Sequence, residues 1–200
     1  MAKSHHPTRS HPTKSELRAA ALSRRDALTP AERAAAAEAV AVRGFPVALA
    51  GGMVVAGYSP IRGELDPFPL MRALQVRGAR LALPAIVGRD QPLVFREWSF
   101  GRALVPGRFG ILEPAPDMPA VEPDVVLVPM AAFDRAGHRI GYGAGFYDRT
   151  LGRTAAGRPV AVGLAFATQE VDRVGALPHD VGLDYIATER ETIATRSVAG

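Results

Sequence analysis

Between Val128 and Leu151 the chain reads VPMAAFDRAGHRIGYGAGFYDRTL. Gly141, Gly143 and Gly145 stand at alternate positions, and Phe146, Tyr147, Asp148 and Arg149 follow. Glycine has no Cβ, so such a run can take positive φ and turn successive backbone N–H groups toward one anion. A helix starting near Gly145 adds unpaired donors and the positive end of its dipole. Arg139 and Arg149 flank the run and supply full charge. Asp148 repels a bare phosphate, but a Mg²⁺ between the two reverses the sign, because that hard cation takes oxygen from both sides. The pattern therefore predicts a metal–nucleotide site. A plainer reading stays open, in which the glycines build a tight turn and Asp148 favours the helix N-terminus as a dipole partner. The run is neither the dinucleotide GxGxxG nor a Walker loop.

The elements that must carry this loop follow from pattern. Lys14 to Ala27 is rich in Ala, Leu and Arg and predicts a helix. Thr29, Pro30 and Glu32 form a capping box with proline at the first helical position, and that helix runs to about Arg43 and stops at Gly44. Met53 to Tyr58 is a short apolar run ending at Ser59-Pro60 and reads as a buried strand. Asp66-Pro67 opens a helix that reaches Arg77. Further strands are expected at Arg80–Leu83, Pro92–Glu97, Val125–Val128 and Val160–Leu164, with a short last one at Tyr185–Thr188. Residues 99 to 123, dense in Gly and Pro, read as loop. Strand–helix alternation with continuous apolar strands predicts an α/β fold, a three-layer, Rossmann-like, open doubly wound sheet that is mostly parallel and covered on both faces. Ligands in such sheets sit outside the carboxyl ends of the strands, so the segments after Tyr58, Val128 and Leu164 are where chemistry is expected.

Composition narrows the class. The 200 residues fit one α/β domain over residues 13–195, preceded by a disordered tail at 1–12. A chain of this length buries roughly 70% of its unfolded surface. The absence of cysteine excludes a disulfide framework and a thiolate zinc site. No apolar run approaches the ~20 residues that span a bilayer, and the first residues lack the apolar middle of a secretory signal. A cytoplasmic, monomeric protein is expected. In the first 25 residues Lys3, Arg9, Lys14, Arg18, Arg24 and Arg25 stand against Glu16, a net +5 that exceeds the chain's total of +4 and leaves the remainder near −1. No basic stripe extends into the body, so a small molecule is a better partner than nucleic acid, and the basic end can equally meet a polyphosphate.

The string FDRAGHRIGYGAGFYDRTL resembles the signature of the 5-formyltetrahydrofolate cyclo-ligase (5,10-methenyltetrahydrofolate synthetase) family. Other landmarks fall in the same order: Lys14-Ser15-Glu16-Leu17-Arg18, Tyr58-Ser59-Pro60 followed by Glu64-Leu65-Asp66, Leu83-Pro84, and Gly110-Ile111-Leu112-Glu113-Pro114. The resemblance covers roughly residues 13 to 190. It implies a soluble enzyme that converts 5-formyltetrahydrofolate and ATP, with Mg²⁺, to 5,10-methenyltetrahydrofolate, ADP and phosphate. Activating the formyl oxygen by phosphorylation lets N10 of the folate attack the carbon, and catalysis is mainly positioning and charge neutralisation.

By the same resemblance, Arg139, Gly141, Tyr142, Gly143, Ala144, Gly145, Phe146 and Tyr147 hold the ATP phosphates, and Lys14 and Arg18 reach the nucleotide. The last two are four apart and share a helix face, which could equally be a solvated one. Asp148 and Asp184 are the implied metal carboxylates; Asp184 could instead be a turn residue. Ser59 and Glu64 meet the formyl–pterin region, with a helix-start charge as the plainer role for Glu64. Glu64, Arg139 and Tyr147 are the candidate catalytic residues. Tyr147 and Phe109 would flank the pterin; for Trp98 ordinary core packing is the stronger reading. His138 sits in the turn before the loop and reads as surface, and His5, His6 and His11 fall in the tail. Some family members carry basic residues inside the glycine run, where this chain has Tyr142 and Ala144, so less positive charge faces the phosphates. Two other readings stay open: a nucleotide- or RNA-binding protein of the same fold without catalysis, and a related ATP-dependent enzyme acting on a different formamide or heterocycle.

Overall fold

The computed structural model describes residues 12–152, 157–175, 177 and 180–195. Most of the expected tail, with His5, His6 and His11, lies outside the described residues.

Two capped helices open the chain. Helix α1 (Lys14–Asp26) starts from Thr13, whose hydroxyl accepts from the Glu16 N–H while the Glu16 carboxylate accepts from the Thr13 N–H. Helix α2 (Pro30–Arg43) repeats that box with Thr29 and Glu32, as its sequence predicts. Then come strand β1 (Val54–Ala56), helix α3 (Phe68–Val76), and strands β2 (Arg80–Ala85) and β3 (Val94–Trp98). The stretch expected to be pure loop contains a minimal hairpin, β4 (Val105–Pro106) with β5 (Leu112–Glu113). Two residues per strand are too few to leave an alternation signal. Strand β6 (Val125–Pro129) leads into a second small hairpin, β7 (Ala132–Phe133) with β8 (Arg139–Ile140), and then helix α4 (Phe146–Leu151). Strands β9 (Val160–Leu164), β10 (Tyr185–Ala187) and β11 (Thr192–Ala194) complete the chain. The expected last strand thus has a successor: Thr188 accepts the N–H groups of Arg190 and Glu191, reversing the chain so that β11 pairs antiparallel with β10.

The main sheet has the order β11-β10-β9-β6-β1-β2-β3. Its five inner strands run parallel and its two edges, β3 and β11, antiparallel. The α/β fold expected from the sequence is the fold observed. Alternating side chains serve both faces. Val55 and Leu127 pack with Val40, Met71 and Leu74 of α2 and α3. Val54, Ala56 and Val128 pack with Leu151, Phe146 and Tyr147 of α4. Helix α1 lies apart from the sheet and closes Ala21 onto Ala132 and Ile140 of the β7–β8 hairpin. Among the described residues no helix is long and apolar enough to cross a membrane.

The β7–β8 turn is held by a buried carboxylate. Asp134 accepts the N–H groups of Ala136 and His138 on one oxygen and that of Val174 on the other. Gly137 closes the turn at φ 93, and a Cβ there would stand 2.7 Å from the Leu183 carbonyl and 2.9 Å from Thr195. Gly44 has a similar φ of 106 but open space around it. Gly137→Ala should therefore cost about 2–4 kcal/mol in urea denaturation, from backbone strain plus overlap. Gly44→Ala should show only the strain, about 1–2 kcal/mol. Equal losses would contradict the packing of this turn.

Candidate active site

The five parallel strands, taken in chain order, stand in space as second, first, third, fourth, fifth. The order reverses between β1 and β6, and the crevice at such a switch point is where open α/β sheets bind ligands. A cleft of about 750 Å³ opens there. Tyr58 and Ser59 enter it after β1, Ile86 after β2, and Pro129 at the end of β6. The glycine run closes one side and Phe109, from the β4–β5 hairpin, another.

The run from Gly141 to Gly145 bears out its expected backbone in part: Gly143 and Gly145 take φ of 97 and 66, whereas Gly141 does not need positive φ. Gly145 is the N-cap of α4. Among the described residues no protein acceptor pairs with the N–H groups of Gly141, Gly143 or Gly145. The loop is instead fixed through its carbonyls and side chains. Arg18 Nε donates to the Gly141 carbonyl at 2.9 Å, Arg25 Nη1 to the Tyr142 hydroxyl at 2.6 Å, and Arg149 Nη2 to the Ala144 carbonyl at 2.7 Å. Arg139 is buried, pairs with Asp148 Oδ1 at 2.6 Å and donates to the Val181 carbonyl. Burial pushes its guanidinium pKa down, and Asp148 opposes that shift. Lys14 Nζ pairs with Asp180 at 2.6 Å at the cleft rim.

Facing the loop is Glu64, nearly buried, with Oε2 accepting the Ile61 N–H at 2.9 Å. Burial raises its pKa to about 7; the Ile61 bond, Arg25, Tyr142 and Arg62 pull the other way. A carboxyl in that range exchanges a proton readily at neutral pH. Three tyrosines stand around it. Burial, with Glu64 adding, pushes the Tyr142 hydroxyl up to about 12 and those of Tyr58 and Tyr147 well above the ordinary phenol range. These remain neutral hydrogen-bonding groups. Tyr58 donates to the Leu65 carbonyl and is thereby fixed.

Phe109 is 71% exposed and sits in the left-handed region at φ 59, with its ring 6.4 Å from that of Phe146. A residue with a Cβ held in that conformation on a hairpin tip presents its ring to the cleft. Ser59 Oγ donates to the Leu112 carbonyl at 2.6 Å and ties that hairpin to the end of β1.

The structure does not bring every predicted residue here. Asp184 lies at the opposite, amino-terminal edge of the sheet, where its oxygens bind the Ala161 N–H and Arg158. Its position just before a strand is what places it there, and the metal role expected for it is withdrawn. Trp98 packs against Phe68 and Phe100, with centroids 5.7 and 4.8 Å away, and does not line the cleft. His138 bonds Asp134 in its turn, outside the cleft. The sequence reading missed Arg25, Asp180 and Glu113, whose carboxylate accepts the Ile86 N–H. Glu113 had a signal, since it belongs to the Gly110–Pro114 string. Arg25 had none, because its partners are 117 and 37 residues away.

The basic residues of α1 that suggested nucleic acid all point inward or along the surface to protein partners. Lys14, Arg18 and Arg25 are paired as described, and Arg24 donates to the carbonyls of Thr168 and Glu170.

Comparison with known proteins gives the family. The chain matches the 5-formyltetrahydrofolate cyclo-ligase family over residues 10–189. A protein of Mycolicibacterium smegmatis named 5-formyltetrahydrofolate cyclo-ligase is 38% identical over 190 residues, spanning 90% of this chain and 96% of that protein. One of the same name from Escherichia coli is 35% identical over 173 residues, 82% of this chain and 94% of that protein. The solved structure of 5,10-methenyltetrahydrofolate synthetase from Aquifex aeolicus superposes with a TM-score of 0.76 at 32% identity, covering 92% of this chain and 93% of that one. With the match running across nearly all of the described fold and through the whole glycine loop, the chain belongs to the 5-formyltetrahydrofolate cyclo-ligase family.

Proposed function

We propose that this chain converts 5-formyltetrahydrofolate to 5,10-methenyltetrahydrofolate with ATP and Mg²⁺, in the cleft between the ends of β1 and β6. The observation that carries the reading is the meeting, in one cleft, of a loop with open backbone N–H groups and a buried carboxyl poised near neutrality.

The chemistry divides between those two walls. The N–H groups of the glycine loop, with Lys14, Arg18 and Arg139, hold the terminal phosphoryl group. The formyl oxygen attacks its phosphorus, and ADP leaves. The formyl carbon, now bearing a good leaving group, is attacked by N10. The N10 proton passes to the Glu64 carboxylate as the C–N bond forms. Cleavage of the C–O bond then releases phosphate together with the former formyl oxygen. Tyr147 and Phe109 supply flat walls for the pterin, and Ser59 fixes the hairpin that carries Phe109.

Asp148 suits a magnesium ion that arrives on phosphates. Its two protein bonds both fall on Oδ1, and the residue lines the cleft. Mg²⁺ keeps several waters and takes one or two carboxylates plus substrate oxygens. Among the described residues no three His, Cys, Asp or Glu side chains cluster as a protein cage. When bound, the ion neutralises phosphate charge.

The direct test is turnover of 5-formyltetrahydrofolate by the purified chain, followed by the methenyl chromophore and by ADP. Product in step with ADP, dependent on both ATP and Mg²⁺, is expected; no product at any Mg²⁺ concentration would end the proposal. Because Glu64 must be ionised to take the N10 proton, kcat should fall about tenfold per unit below pH 7 and level off above it. Glu64→Gln should abolish that limb and lower kcat at pH 8 about 100-fold, while ATP binding stays within about threefold. Equal loss of ATP binding and turnover would contradict the assignment. Burial also makes ionised Glu64 a liability to folding. Its stability contribution is intact below the unfolded value of 4.5 and is lost as pH rises through about 7. Denaturation of wild type against Glu64→Gln should therefore diverge by on the order of 3 kcal/mol between pH 5 and 8.

Asp148→Asn keeps an oxygen for Arg139 and Val181 but removes the charge. It should raise the Mg²⁺ concentration at half-maximal rate about tenfold and leave the melting temperature within a few degrees. An unchanged Mg²⁺ dependence would remove Asp148 from the metal role.

A further inference from the structure

Arg25 lies outside the cleft, yet it touches both working walls. Its residue is only 2% exposed. Nη1 donates to the Tyr142 hydroxyl at 2.6 Å, in the glycine loop. Nη2 donates to the Arg62 carbonyl at 2.6 Å, in the turn that carries Glu64. Nε and Nη2 both reach Asp26 Oδ1 at 3.1 Å, which orients the guanidinium plane from its own helix.

Each of its two long-range targets needs outside support. Arg62 stands at φ 52, a conformation that a residue with a Cβ keeps only where its surroundings hold it, and Gly63 follows at φ 77. The bond from Arg25 falls on the carbonyl of that strained residue. Arg33 packs over Gly63 from α2 and donates to the Asp26 carbonyl, closing the turn from the other side. Tyr142 sits in a run whose own N–H groups are open, so its hydroxyl is one of the few handles by which the loop can be held.

We infer that Arg25 is a positioning residue for the reaction, a buried fork that keeps the glycine loop and the Glu64 turn in register so that phosphoryl group and folate meet. The inference rests on the cyclo-ligase reading for what the two walls bind. A planar fork is required because the two acceptors lie on different segments and are reached by different nitrogens; an ammonium on a flexible stem carries the charge without that geometry.

The register also sets the electrostatics at Glu64. The groups facing its carboxyl are Arg25 from α1, Arg62 from its own turn, Tyr142 from the glycine loop, Tyr58 from the end of β1 and Tyr147 from α4. Only the two arginines are cationic, and Arg25 is the buried one, so salt screens it least.

The test reads the Glu64 carboxyl directly, by ¹³C NMR titration of labelled protein with the resonance assigned through Glu64→Gln, alongside the pH profile of kcat. Arg25→Gln should move the Glu64 midpoint upward by about one pH unit and lower kcat at pH 7 at least about tenfold. Arg25→Lys should bring the midpoint back to within about 0.3 unit but leave kcat about threefold or more below wild type. Arg24→Ala, which removes two other bonds of the same helix, should leave the midpoint in place. If Arg25→Gln does not fold, Tyr142→Phe decides the matter: it removes only the hydroxyl and should shift the midpoint upward by about half a unit. An unmoved midpoint in folded Arg25→Gln, or in Tyr142→Phe where the former does not fold, would overturn the inference, as would a lysine variant that keeps wild-type kcat. A shifted midpoint in a chain that does not cyclise 5-formyltetrahydrofolate would keep the register and remove the substrate assignment instead.

Discussion

A loop that offers its backbone N–H groups to a ligand cannot use them to hold itself. The segment from Gly141 to Gly145 faces this constraint, and the rest of the site follows from its solution. The loop is gripped by arginines on its carbonyls and on one tyrosine hydroxyl, leaving the donors open. That explains why α1, which adds nothing to the sheet, is docked so firmly against the β7–β8 hairpin. The helix is the platform from which Arg18 and Arg25 reach the loop, and its first turn places Lys14 at the cleft rim.

The opposite wall uses burial in place of charge. Burial removes water from Glu64, and the three tyrosines around it stay neutral at any physiological pH. A carboxyl so placed holds or releases a proton near neutrality, which is what the proposed proton transfer from N10 needs. On the proposed function the two walls are complementary: open dipoles and fixed cations for the phosphates, and a dry acid for the carbon–nitrogen chemistry. The sheet supplies their proximity, because the strand order reverses between β1 and β6.

Local chemistry made much of this legible in the sequence. Thr29, Pro30 and Glu32 announce a helix start because capping is a contact among near neighbours, and Val125–Val128 reads as a strand because every residue in it is apolar. The glycine run was visible for the same reason. What escaped was long-range. Arg25 looks like any helix-end arginine until folding brings residues 62 and 142 to it. Asp184 sits where a turn carboxylate could serve a metal, and only the direction of β10 shows that it faces the wrong end of the sheet. The hairpin that presents Phe109 has two residues per strand, below the length at which periodicity speaks.

The central claim is that the formyl oxygen itself receives the phosphoryl group. The most direct measurement uses 5-formyltetrahydrofolate carrying ¹⁸O in the formyl group, turned over with unlabelled ATP, with the released phosphate examined by mass spectrometry. The label should appear in phosphate, transferred as its C–O bond breaks. Label found in water, with unlabelled phosphate, would mean that the oxygen leaves without ever bonding to phosphorus, and the roles assigned to the two walls would not stand.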